Sequence, residues 1–140
     1  NNPQPYLIDV REDPRQLESI PIEKNIKDKI IKKELYITMN NTATSISVLA
    51  ATEISKITGS KYFFNLPTHG ALTSKVEGKN VTIKTCSDTS NITAIISFEK
   101  ENKTRIYSRG DCVIIGAPTE YDLIKGANRL SLTLLNIMKE

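Results

Sequence analysis

Residues 35–66 read LYITMNNTATSISVLAATEISKITGSKYFFNL and combine two apolar runs with the stripe of an amphipathic helix. The first run, residues 35–39, is rich in residues that favour a buried strand. Helix-capping residues follow it, and apolar residues then recur at spacings of three and four. The second apolar run begins at Tyr62. This order predicts a strand–helix–strand unit over 35–66, joined as a parallel crossover.

The segments on either side of this unit have different patterns. Residues 1–34 predict a short strand over 6–10 and then a basic arm or helix over 22–34. Residues 72–116 alternate with a period of two and contain turn-like joins, which is typical of antiparallel hairpins. The predicted strands of this β-meander are residues 72–76, 81–86, 92–98, 105–107 and 112–115.

The C-terminal segment, residues 119–139, predicts a long helix. Thr119 can cap its start, with Asp122 three residues on, and Leu and Ile residues form one stripe after them. Gly126 either weakens this helix by about 1 kcal/mol relative to Ala or lets a neighbour approach closely.

Together these patterns predict a single domain, residues 1–140, of α+β or mixed α/β class. We expect a single sheet with an antiparallel meander and two main helices, at 44–58 and 119–138, packed on one face. The other face of the sheet should then be exposed to solvent. Because the sequence begins with Asn1 rather than Met, we expect a piece excised from a longer or processed protein.

Composition excludes several classes of protein. The chain has 140 residues, of which 39% are hydrophobic and 25% charged, which is typical of globular domains. No apolar run approaches the roughly 20 residues that a transmembrane helix needs, so we expect no transmembrane segment in this chain. The net charge of +3 is too small to indicate a nucleic-acid partner.

Residue types that carry catalysis are sparse. His69 is the single histidine, no G-x-S-x-G motif is present, and the two cysteines lack CxxC spacing. We therefore predict no catalytic residue, no metal ligand and no cofactor. A small hydrolase or transferase that uses His69 and a cysteine is the least favoured reading.

Cys86 and Cys112 have a structural interpretation. Cys86 closes one predicted strand and Cys112 opens another, so a disulfide can join neighbouring strands of the meander. Such a bridge would stabilise the fold by about 3–4 kcal/mol. The alternative is two buried, reduced thiols in a cytosolic protein.

Four N-x-[ST] triplets are acceptors for N-glycosylation. Chance would give about two in a chain of this composition. Most of them fall at predicted turns or strand edges, where glycosylation requires exposure. The candidate glycosylation sites are Asn40, Asn80, Asn91 and Asn102.

The polar turn before the first long helix is a candidate site for an anion or small ligand, because helix starts present free N–H groups. The turn lacks the glycines of a phosphate-binding loop. Its candidate residues are Asn40, Asn41, Thr42, Thr44 and Ser45.

Two segments resemble the surface-layer (S-layer) proteins of methanogenic archaea. Residues 35–59, LYITMNNTATSISVLAATEISKITG, resemble their apolar strand, polar turn and Ala-rich helix, in which a pair of small residues precedes an acidic one. Residues 110–137, GDCVIIGAPTEYDLIKGANRLSLTLLNI, resemble the matching strand–Gly–helix element. The resemblance covers about a third of the chain and implies a structural role at the cell surface, without catalytic residues.

The leading prediction is a non-enzymatic, S-layer-like structural domain of the cell envelope. It would lie outside the cell, carry glycans and act through protein partners, including self-assembly. The alternative is a cytoplasmic adaptor or a module that binds a small ligand or anion at the polar turn.

Overall fold

The computed structural model describes residues 14–140 and contains one five-stranded mixed sheet. The strand order is β2-β1-β3-β5-β4. Strands β2, β1, β3 and β5 all run in the same direction, and the edge strand β4 runs antiparallel to β5. The strands are β1 (Glu34–Met39), β2 (Thr68–Leu72), β3 (Thr93–Lys100), β4 (Arg105–Arg109) and β5 (Cys112–Ala117).

The predicted antiparallel meander is therefore wrong. Strand β5 lies between β3 and β4, so β3 and β4 are not neighbours although only residues 101–104 separate them. Every residue of β5 is buried, as are the first six of β3, whereas β4 is mostly exposed or half-buried. Strands buried on both faces belong in the centre of a parallel sheet, and a partly exposed strand belongs at its edge.

The other strands of the meander also differ from the prediction. Strand β2 ends at Leu72, where a strand over 72–76 was expected. Residues 81–85 form no strand, apart from an isolated bridge between Ile83 and Leu72, and a 3-10 helix begins at Cys86. Period-two alternation of apolar and polar residues arises in irregular segments as well as in strands, and in residues 73–86 it does not correspond to strand pairing.

The strand–helix–strand unit is β1, a helix α3 (Ser45–Thr58) and β2, with β1 and β2 parallel. Its second strand begins at Thr68, because residues 61–64 form a turn. The C-terminal helix α4 spans Glu120–Leu134. A threonine caps each helix: Thr44 accepts a hydrogen bond from the amide of Ile46, and Thr119 accepts one from that of Asp122.

Helices α3 and α4 pack together against one face of the sheet. The core between them contains alternate residues of the central strands, among them Ile37, Ile96 and Ile115. Gly126 of α4 faces Ile115, whose Cγ2 would lie 2.7 Å from an added Cβ. The absence of a side chain at Gly126 therefore brings the helix close to β5.

The other face of the sheet is covered in part. Ile95 and Ile114 are fully buried there, with Tyr36 and Tyr107 packed beside them. A short 3-10 helix, Cys86–Asp88, lies against this cluster. The carbonyl oxygen of Lys84 accepts a hydrogen bond of 2.7 Å from the hydroxyl of Thr38, which holds the preceding segment over β1.

Two short helices, α1 (Pro14–Glu18) and α2 (Ile26–Ile30), precede the sheet. Leu17 and Ile20 pack against Leu132 and Met138 and so cover the outer side of α4. The predicted strand over residues 6–10 lies outside the described residues.

Candidate functional site

The carboxyl ends of β1, β3 and β5 meet at one edge of the sheet. From β1 the chain passes through α3 to β2 on one side, and from β3 it passes through β4 to β5 on the other. In open α/β sheets, a crevice opens where the connections diverge in this way, and ligands bind there. The chain connections leave β1 and β3 towards opposite sides of the sheet, so the crevice between the ends of these two strands is the part of the fold best suited to bind a ligand.

An open cavity of about 650 Å³ lies at this edge and is named the crest cavity here. Its apolar lining includes Met39 of β1, Phe98 of β3 and Leu123 of α4. Its polar lining comes from the end of β3, the start of α4 and the loops that follow the strands, and it includes Asn40, Thr42, Thr73, Ser97, Glu99, Lys100, Thr119 and Glu120.

The polar turn predicted to bind an anion holds a carboxylate of the protein itself. One carboxylate oxygen of Glu120 accepts hydrogen bonds from the Thr44 amide and hydroxyl, both at 2.9 Å. It also accepts one of 2.6 Å from the hydroxyl of Ser47. The start of α3 is thus occupied by the first residue of α4, and an external anion would have to displace Glu120.

These bonds stabilise the charged form of Glu120. The hydrogen bond from Ser47 and that from the Thr44 amide lower the pKa of Glu120 below its ordinary value, against the opposing effect of burial. Glu120 is therefore a fixed negative charge near neutral pH rather than a proton donor or acceptor.

The other residues of the turn bond to one another or to nearby loops. The side-chain oxygen of Asn40 accepts hydrogen bonds from the Thr42 amide at 2.9 Å and the Thr42 hydroxyl at 3.0 Å. Asn41 donates one of 3.1 Å to the carbonyl oxygen of Lys75. Ser45 is the first residue of α3 and is exposed.

Cys86 and Cys112 form a disulfide in the structure, with a Cα–Cα distance of 5.2 Å. The bridge joins the 3-10 helix to the start of β5 rather than two neighbouring strands of a meander. It attaches the segment between β2 and β3 to the centre of the sheet. Since both sulfurs are bonded, neither is a free nucleophile or metal ligand.

All four candidate glycosylation residues, Asn40, Asn80, Asn91 and Asn102, are exposed. Asn80 lies in the loop after β2, Asn91 just before β3, and Asn102 in the turn after β3. The crest cavity has Asn40 at its wall.

His69 lies on β2 and is exposed, with its ring centroid 5.2 Å from that of Tyr36. Within residues 14–140, no group of three His, Cys, Asp or Glu side chains is arranged to hold a metal ion. None of the helices in this same range is long and apolar enough to cross a membrane.

A charged cluster on the face opposite the long helices was not found from the sequence. Glu101 bonds to Tyr107 and to Arg105, and the guanidinium of Arg105 lies 4.1 Å from the Tyr107 ring. Burial alone would raise the pKa of Glu101, but the hydrogen bonds from Tyr107 and Arg105 lower it. Glu101 lies directly over Gly116, whose lack of a side chain makes the room. The glycine within the apolar run of β5 was the available signal, since such residues mark a close approach.

Comparison with protein-family models, with curated proteins and with solved structures gives no match.

Proposed function

We propose that this chain is a non-enzymatic domain of the cell envelope, similar to S-layer proteins, that acts through protein–protein contacts outside the cytoplasm. The observation that carries the proposal is the disulfide between Cys86 and Cys112. Disulfides persist in oxidising compartments and are rare in the cytosol, where thiols are kept reduced.

The exposure of the sequons supports the same compartment. A glycan is bulky and hydrophilic, so its attachment site must lie on the surface. Each of the four asparagines meets that requirement. Two of them, Asn91 and Asn102, lie in the part of the chain that the disulfide closes into a loop.

The arrangement of polar groups supports a structural role. Glu99 pairs with Arg109, and Glu101 with Arg105 and Tyr107, so these carboxylates are engaged in ion pairs on the surface. Glu120 joins the starts of the two long helices. These groups stabilise the fold and are not arranged as an acid–base pair.

Glycopeptide mass spectrometry of protein from its native cells tests the proposal. We expect glycan on at least one of the four asparagines and a bonded pair of cysteines in the same material. Protein expressed in a bacterial cytosol is the matched unglycosylated control. Four unmodified asparagines, together with two free thiols, would exclude the envelope as the place of function.

A further inference from the structure

We propose that the crest cavity binds a small organic anion, one with an apolar body and a single carboxylate. This inference does not depend on the compartment or on glycosylation. It rests on the position of the cavity, on one unpaired cation and on one hydroxyl of the lining that bonds to no other described residue.

The position and size of the cavity fit a small molecule. It lies at the divergence between β1 and β3, where α/β sheets bind their ligands. Its volume of about 650 Å³ lies within the range of small-molecule sites, roughly 300–1,000 Å³. Met39, Phe98 and Leu123 give it an apolar wall, which favours a ligand with an apolar body.

The charged residues of the lining offer one contact for an anion. Glu99 is neutralised by two hydrogen bonds of 2.9 Å from the guanidinium of Arg109. Glu120 is held by Thr44 and Ser47. Lys100 is the remaining charged residue of the lining, and within residues 14–140 it has no ion-pair partner. An incoming carboxylate would therefore pair with the Lys100 ammonium group, and it must bind away from the charged Glu120.

Ser97 supplies an independent observation. It lines the cavity with only 4% of its surface exposed, and its hydroxyl has no hydrogen-bond partner among the described residues. The hydroxyl is not enclosed by protein, because among the described residues the enclosed side-chain polar atom without a partner is Nδ2 of Asn128. The Ser97 hydroxyl is therefore open to the cavity and can bond to a ligand oxygen.

The same geometry argues against inorganic phosphate as the ligand. Phosphate sites use the free N–H groups at a helix start. Here Glu120 occupies the start of α3, and Thr119 caps that of α4. The ligand must therefore gain affinity from its apolar body as well as from its charge.

A titration followed by amide NMR tests this proposal with three probes. The probes are 4-phenylbutyrate, its neutral amide 4-phenylbutyramide and inorganic phosphate. We expect the carboxylate to shift the amide signals of Met39, Phe98 and Lys100, the amide to bind more weakly, and phosphate to leave these signals unchanged.

Two lysine variants give a matched comparison. Lys100→Gln should weaken binding of 4-phenylbutyrate about tenfold, since it removes a charge-assisted contact. Lys103→Gln, an exposed lysine three residues on that does not line the cavity, should leave binding unchanged. Ser97→Ala should weaken binding with the overall spectrum preserved.

Three results would overturn the proposal. The first is no shift at these residues up to about 10 mM carboxylate, a concentration well above the Kd expected for a weak small ligand. The second is an equal effect of the two lysine variants, and the third is a response to phosphate equal to that to 4-phenylbutyrate, which would show an adventitious ion only. None of these results bears on the disulfide or the glycans, so the proposed function would stand.

Discussion

The carboxylate of Glu120 accepts a hydrogen bond of 2.6 Å from the hydroxyl of Ser47, and this contact joins the first turns of the two long helices. The same oxygen accepts two hydrogen bonds from Thr44, the residue that caps α3. A negative charge at a helix start is favourable because it interacts with the helix dipole. The pair thus sets how α3 and α4 begin beside each other at the crest cavity.

Replacing Glu120 with Gln should destabilise the protein by about 1–2 kcal/mol, because a neutral amide oxygen accepts these hydrogen bonds more weakly than a carboxylate does. Urea unfolding followed by circular dichroism measures this change. Asp122→Asn at the other acidic position of the same helical turn is the control. It should destabilise the protein less, because the partners of Asp122 among residues 14–140 are Thr119 and Lys125, which belong to the same helix and its cap. An equal loss of stability in the two variants would contradict the proposal that Glu120 stabilises the packing of α3 beside α4.

The pH dependence of stability follows from the lowered pKa of Glu120. The ordinary pKa of 4.5 describes the unfolded chain, and the folded value is lower. The unfolded state therefore binds protons first, so the stabilisation is complete above about pH 5 and is lost as the pH falls through the folded pKa. Unfolding free energies measured between about pH 6 and pH 3 should fall less steeply for Glu120→Gln than for the wild type. If the unfolding free energies of the variant and the wild type change with pH in the same way, Glu120 does not contribute to the pH dependence of stability.

Removing the disulfide should destabilise the protein by about 3–4 kcal/mol, since the bridge closes a loop across a sequence separation of 26 residues. The variant is Cys86→Ser with Cys112→Ser, and thermal unfolding gives the change. A reducing agent should lower the Tm of the wild type and leave that of the variant unchanged. A wild-type Tm that does not respond to reductant, while a thiol assay shows complete reduction, would contradict this expectation.

Two strand glycines should respond differently to the same substitution. An added Cβ at Gly116 would lie 2.5 Å from Cδ of Glu101, whereas nothing lies within 4 Å of one at Gly70. Gly116→Ala should therefore displace Glu101 from Tyr107 and Arg105 and cost about 1–3 kcal/mol, and Gly70→Ala should be close to neutral. Chemical unfolding of both variants checks this difference. An unchanged free energy of unfolding for Gly116→Ala would mean that Glu101 can move aside without loss of stability.

Arg129 of α4 is buried and donates hydrogen bonds to the carbonyl oxygens of Ile20 and Lys139, at 3.2 and 2.6 Å, and to the hydroxyl of Thr133. Arg129→Met should destabilise the protein by about 2–3 kcal/mol, because it removes three hydrogen bonds of a charged donor and leaves the buried carbonyl oxygen of Ile20 unpaired. Hydrogen exchange should also quicken near Ile20 and Lys139. Lys125→Met on the same helix, at a half-exposed position, is the control and should change neither quantity by much.

The sequence predicted those elements whose signal is local. The helix predicted at 44–58 is α3, and the start predicted at Thr119 is the cap of α4, because capping residues and apolar spacing act within a few residues. The order of strands depends on distant contacts. Residues 100–103 were predicted to form a hairpin turn, yet β5 inserts between β3 and β4. The apolar character of β5 and of the first half of β3 was the local indication that these strands are central.

In the candidate site, too, the local features were predictable from the sequence and the distant contacts were not. The turn at Asn40 to Ser45 was recognisable from its residue types, but its occupation by Glu120 was not, because 76 positions separate Glu120 from Thr44. The crest cavity draws on three strands and two helices, and Lys100 and Ser97 carry no motif. Such a site becomes visible only once the order of the strands is known.

Labelling of intact native cells with a membrane-impermeant amine reagent tests the central claim most directly. Lys75, Lys79 and Lys103 are exposed and within reach of such a reagent if the domain lies outside the cytoplasm. We predict that these lysines are modified on intact cells while a cytosolic marker protein is not. Modification of the three lysines only after lysis, together with the marker, would contradict the assignment to the cell envelope.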